Sequence, residues 1–158
     1  MLKPKILLLS GYDAASHRYW REQLEVSLTE FDWTQLFLPA RHFSWRTRGS
    51  SLSFAFEHTE ALQQDYQLVL ATSMVDLASL RGFIPQLAKI PTILYFHENQ
   101  FVYPISNHQP NILNAQLTSI YSALCADYLV FNSNFNQETF LQGAEKLLKR
   151  MPDGVPEN

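Results

Sequence analysis

The chain has 158 residues and is 46% hydrophobic, enough for one domain with a real core and too short for two domains of ordinary size. A net charge of −3 excludes a surface that binds nucleic acid throughout, and a single cysteine, Cys125, excludes an internal disulfide. No charged leader with a long apolar core opens the sequence, and no apolar run approaches the roughly 20 residues that cross a bilayer. The expectation is a soluble cytoplasmic domain with Cys125 as a buried, reduced thiol.

In chain order, residues 5–10 (Lys-Ile-Leu-Leu-Leu-Ser) form a short continuous apolar run that suits a parallel strand buried on both faces. Residues 11–16 follow as a loop of small residues, with Ser16 capping a helix whose apolar positions Trp20, Leu24 and Leu28 recur at i, i+4 and i+8. Two readings of this junction stay open. It is an ordinary turn between strand and helix, or it points backbone N–H groups at a cleft and holds an anion or a sugar hydroxyl. Residues 32–38 read as the second strand, closed by Pro39. Residues 41–53 read as a long connection rich in Arg, Ser and Thr, 54–64 as a short helix, and 67–71 as the third strand. A helix capped by Thr72 or Ser73 runs to about Gly82, with Leu77 and Leu80 facing inward.

The fourth strand, Ile93, Leu94, Tyr95 and Phe96, lies between Pro91 and Pro104 and ends abruptly in His97, Glu98, Asn99 and Gln100. In an open α/β sheet, ligands sit outside the carboxyl ends of the strands, which makes this polar cluster a site candidate. A loop at 104–110 precedes a helix over 111–125, whose Leu113, Leu117, Ile120 and Leu124 share one face. Residues 128–131 are the fifth strand. Asn134, with Gln137 three residues on, caps a last helix with the stripe Phe140, Leu141, Ala144, Leu147 and Leu148. Pro152 and Pro156, flanking Gly154, stop that helix and read as a linker. Strands alternating with helices, without an internal repeat, predict an α/β fold: a Rossmann-like parallel sheet of about five strands with helices on both faces.

His97 suits a general base or a hydrogen-bond donor to a ligand, and a structural histidine at a strand end is the competing reading. If strand geometry continues, His97 and Glu98 point to opposite faces and do not share a metal. His17, His42, His58 and His108 are scattered, so no metal site is expected. The nucleophile elbow of hydrolases is absent, and Gly11 alone falls short of the three glycines of a dinucleotide fingerprint. Between Asp32 and Glu57 there is no carboxylate, whereas Arg41, His42, Arg46 and Arg48 all fall there. Arg46 and Arg48 beside Trp45 offer phosphate contacts and a stacking face, or they are a plain basic surface.

Taken together, Leu38-Pro39-Ala40-Arg41 with Trp45-Arg46-Thr47-Arg48, Leu70-Ala71-Thr72-Ser73, Leu94-Tyr95-Phe96-His97-Glu98-Asn99-Gln100 with Tyr103-Pro104, and Val130-Phe131-Asn132-Ser133 with Phe135-Asn136 carry a resemblance. In that order they resemble the amino-terminal half of the glycosyltransferase-like family that includes tRNA-queuosine α-mannosyltransferase. The resemblance covers residues 5 to 153. It implies a retaining transferase of the GT-B architecture, in which the amino-terminal domain receives the acceptor and the carboxyl-terminal domain binds most of the nucleotide sugar. On that reading residues 1–151 are the acceptor-side domain, and 152–158 begin a linker to a donor domain that lies outside this sequence. The fragment alone is then inactive. His97 takes the position beside the transferred sugar. Gly11, Ser16, His17, Glu98, Asn99 and Ser133 face the donor or the cleft, although Asp13-Ala14 departs from a glycine-rich pair in the loop near the diphosphate. Arg41, Trp45, Arg46 and Arg48 suit the acceptor's phosphates. The implied co-substrate is GDP-mannose with no other cofactor, and the implied partners are tRNA and the carboxyl-terminal domain, not a membrane. The alternatives are an RNA-binding module without transferase activity, or a domain that docks on a second chain.

Overall fold

A computed structural model describes residues 2–102 and 112–153. Five parallel strands form one sheet in the order β2-β1-β3-β4-β5, made of β1 (Lys5–Asp13), β2 (Asp32–Pro39), β3 (Leu68–Thr72), β4 (Thr92–Phe96) and β5 (Tyr128–Phe131). The helices between and after them are α1 (Ala15–Ser27), α2 (Phe43–Glu57), α3 (Thr59–Leu62), α4 (Leu77–Phe83), α5 (Ile112–Cys125) and α6 (Asn134–Leu148), with a 3₁₀ turn at Pro85–Lys89 before β4. The apolar run of β1 is buried on both faces because helices cover both. Leu7 and Leu9 pack with Phe54 of α2, Leu62 of α3, Leu80 of α4 and Phe140 of α6, while Ile6 and Leu8 pack with Trp20 and Leu24 of α1. The Rossmann-like α/β reading holds. Among the described residues, no helix is long and apolar enough to cross a membrane.

Several local expectations change. β1 runs to Asp13, so Gly11 lies in the strand and not in a loop. Its register against β2 shifts between Ser10, opposite Phe37, and Asp13, opposite Pro39, three residues facing two as in a β-bulge. α1 therefore starts earlier than expected: Ala14 occupies the cap position without a side-chain cap, and Ser16 sits exposed in the first turn. Asp76, and not Thr72 or Ser73, caps α4 by accepting from the Ser79 N–H at 3.1 Å. Leu77 and Leu80 face inward as expected. Ser133, and not Asn134, caps α6 by accepting from the Asn136 N–H at 3.2 Å.

Two helices correct the reading more deeply. Residues 43–57 are α2, not a long connection, and it enters from His42 in the left-handed region (φ 55). Its inward face is small and hydroxylic, with Gly49, Ser50, Ser51 and Ala55 beside Phe54. In α5 the ends of the apolar stripe point out, Leu113 at 47% exposed and Leu124 at 78%, while Leu117 is partly buried and Ile120 lies inside with Ala115, Thr118, Ser119 and Ser122. Leu141 of α6 is likewise exposed, and Cys125 is only partly buried. The loop expected at 104–110, the helix start at 111, His108 and the residues from 154 lie outside the described residues.

Candidate active site

The carboxyl edge of the sheet brings the polar end of β4 against the first turns of α1. Along β4, Thr92, Leu94 and Phe96 face one side, and Ile93, Tyr95 and then His97 face the other, where α1 lies. Helical spacing puts His17, Trp20, Arg21 and Leu24 on the facing side of α1. The imidazoles of His17 and His97 stack with centroids 3.9 Å apart and planes 18° from parallel. Trp20 and Tyr95 each present an edge-to-face contact to His97, at 4.9 and 4.8 Å, and they stack on each other at 4.4 Å. His97 thus sits in an aromatic box, with Nε2 buried and unpartnered. The residue also lines a cleft, described below, in which a ligand can meet it.

Glu98 reaches the same place. Its Oε2 lies 3.2 Å from His17 Nε2, and His17 is 3% exposed. The opposite-face expectation fails because the strand ends at Phe96, and the turn after it swings the Glu98 carboxylate back over α1. Burial first, and then the neighbouring His17, push the His97 pKa down to about 4, with Glu98 pulling weakly the other way. His97 is therefore an uncharged imidazole at neutral pH.

The position of α1 is itself fixed by a buried ion pair. Asp13, at the end of the β1 bulge, accepts from Arg21 Nε at 2.9 Å and Nη2 at 3.0 Å. Burial alone would raise the Asp13 carboxyl, but the bonds and charge of Arg21, with Arg18 beyond, outweigh it and hold the group below its ordinary range. Arg21 also donates to Gln35 at 2.9 Å and stacks over Phe37, which ties α1 to β2.

Behind His97, asparagines tie the turn to α6. Asn99 Nδ2 donates to the Asn136 side-chain oxygen at 2.7 Å and to the Thr139 hydroxyl at 3.0 Å. Asn136 donates to the Phe96 carbonyl at 3.0 Å, and Asn132 to the His97 carbonyl at 2.6 Å. Asn99 is buried and fully engaged, so it shapes the turn. A cleft of about 230 Å³ opens there, lined by His97, Glu98, Asn99, Asn132, Ser133 and Phe135.

Other candidate residues lie apart. Gly11 gives its N–H to the Thr72 hydroxyl at 3.2 Å, and a Cβ on it would stand 2.7 Å from the Met74 carbonyl oxygen. It serves close packing of β1 on the turn after β3, with no N–H left for an anion. The basic segment is split by the helix. Arg46 is 7% exposed, with Nη1 near Ser53 Oγ at 3.4 Å and Nε buried without a partner. Arg48 is half exposed and pairs with Asp76 at 3.3 Å. Arg41 and Trp45 face outward. Among the described residues, no group of three His, Cys, Asp or Glu could hold a metal ion. Trp20, Tyr95, Asn132 and Asn136 were not among the site residues expected from sequence, although Tyr95, Asn132 and Asn136 lie in the blocks that carry the resemblance and Trp20 lies one turn beyond His17.

The chain from residue 5 to residue 158 matches the model of a family described as tRNA-queuosine alpha-mannosyltransferase N-terminal. It is 35% identical over 153 residues to the tRNA-queuosine alpha-mannosyltransferase of Drosophila melanogaster, a match that covers 96% of this chain and 40% of that relative.

Proposed function

This chain belongs to the tRNA-queuosine alpha-mannosyltransferase amino-terminal family, and from that premise we propose that it forms the acceptor-side wall of a retaining GT-B mannosyltransferase. The substrates we assign are GDP-mannose and the queuosine of tRNA. The donor is bound mainly by polypeptide beyond residue 151, in keeping with a chain that spans two-fifths of its relative's length, 40%. The observation that carries the reading is His97, set at the carboxyl edge of the sheet among aromatic rings and lining a cleft.

In the reaction, the bond from mannose C1 to the diphosphate oxygen breaks, and a bond from the queuosine hydroxyl oxygen to C1 forms on the same face. The hydroxyl proton leaves with the diphosphate. An uncharged His97 donates its ring N–H to a sugar oxygen, and does so best where water is excluded. Positive charge on the leaving diphosphate comes from the remainder of the protein. Arg41, Trp45 and Arg48 meet tRNA phosphates and bases, whereas buried Arg46 supports α2 from within.

The test uses the full-length protein. It is incubated with queuosine-containing tRNA and a panel of nucleotide sugars, the RNA is digested, and queuosine is examined by mass spectrometry. A hexose gained only with GDP-mannose is the expected result. A gain from a different donor, or none from any, overturns the assignment.

A further inference from the structure

We propose that His17, held by Glu98, is a positioning residue that fixes the ring plane of His97 against the transferred sugar. This rests on the reading of His97 given above. A histidine at a strand end turns freely about two side-chain bonds, and a hydrogen bond to a sugar loses most of its value when the ring is misdirected. Here the ring is hemmed in. His17 lies parallel to it at 3.9 Å, and the stacked pair of Trp20 and Tyr95 meets it at right angles.

What makes His17 more than packing is its own anchorage. Nε2 is bound to the Glu98 carboxylate at 3.2 Å, and the Glu98 carbonyl accepts from Ser73 Oγ at 3.2 Å. Because Glu98 follows His97 directly in the chain, the contacts close a loop: His97 stacks on His17, His17 binds Glu98, and Glu98 is bonded back to His97. A carboxylate on one imidazole nitrogen sets its tautomer and orientation. His17 Nδ1 is buried without a partner, so nothing else competes for the ring.

The loop also assigns charge. Among the described residues, the ionisable groups around the His97 ring are His17 from α1, Tyr95 from β4 and Glu98 from its own turn. His17 disfavours a proton on His97 and Glu98 favours one, so removing each moves His97 in opposite directions. That opposition reports how close the three groups lie, and the positioning role is read from kcat.

The experiment compares His17→Phe, Glu98→Gln and His97→Ala in the full-length protein with GDP-mannose and queuosine tRNA. His17→Phe keeps a stacked ring but loses the anchor, and Glu98→Gln, at a partly exposed side chain, changes little volume. Both are expected to lower kcat about tenfold with KM for tRNA unchanged. The His97 ring resonances, followed by NMR against pH, are expected to titrate higher in His17→Phe and lower in Glu98→Gln. Wild-type kcat in both variants, whatever the titration does, alongside an inactive His97→Ala, overturns the positioning role and leaves His97 in place. Full activity in His97→Ala removes the premise instead. Should His17→Phe fail to fold, Glu98→Gln alone carries both readouts.

Discussion

The segment after β2 and the turn after β4 both leave the carboxyl edge of the sheet carrying a run of polar side chains, yet they use them in opposite ways. After β4 the chain stops being regular: His97 and Glu98 converge on His17 of α1, and Asn99 turns to Asn136 and Thr139 of α6. After β2 the chain becomes helical almost at once, and the helix separates neighbours that the sequence places together: Arg46 goes inside and Arg48 goes to Asp76. An irregular turn lets adjacent residues converge on one place, and a helix forces residues two apart onto different faces. Polar clusters at strand ends are therefore stronger site signals than basic clusters that helical geometry will disperse.

The contrast can be broken most sharply at His97. In the full-length protein, His97→Ala is expected to lower single-turnover mannosyl transfer by about 100-fold or more while tRNA affinity stays unchanged. An equal loss from Arg48→Ala would erase the distinction between the two regions. Next in size, Asn136→Ala should cost about 2 kcal/mol in chemical denaturation, because it leaves Asn99 and the Phe96 carbonyl short of partners in a buried site. Arg48→Ala should cost less, about 1 kcal/mol, because Arg48 is half exposed and the buried Asp76 keeps its two bonds from Ser79.

The pH dependence separates the regions further. His97 titrates near 6.5 when unfolded and at about 4 when folded, so the unfolded chain binds the extra proton between these values. The stability that depends on a neutral His97 is whole above pH 6.5 and is lost as pH falls toward 4. His97→Phe should flatten that part of a stability profile, whereas Arg48→Ala should leave it alone. The Asp13 contribution fades at lower pH, below the ordinary carboxylate value, because its folded pKa is depressed. In binding, Arg41→Ala with Trp45→Ala should weaken tRNA affinity about fivefold and reduce its salt dependence, measured by filter binding across a salt series.

Much of this architecture was legible. The strands could be read because continuous apolar runs such as Leu7–Leu9 have no other good use in a chain of this size, and His97 could be read because a polar run directly after such a strand lies at the sheet's edge. The phase of α2 and α5 was not. Both helices press hydroxyls on the turn after β3: Ser50 bonds the Met74 carbonyl and the Asp76 N–H, and Ser122 bonds the Val75 carbonyl and the Leu77 N–H. Satisfying a buried turn outweighs burying Leu124 or Phe56, and a count of apolar spacing has no means of weighing that. The caps went astray for a similar reason. Thr72, Ser73 and Asp76 are all competent, and the choice among them depends on where the buried backbone ends. The meeting of His17 with Glu98 joins residues 81 positions apart and left no local trace.

Gly11 makes this arrangement sensitive to something as small as a methyl group. β1 leans on the turn after β3 so closely that a Cβ would meet the Met74 carbonyl oxygen at 2.7 Å, and one residue earlier in that turn Ser73 holds the Glu98 carbonyl. The bare α-carbon acts as a spacer of zero thickness. Any side chain there pushes the turn outward and carries Glu98 with it, so that an alteration at the far strand re-aims a histidine it never touches.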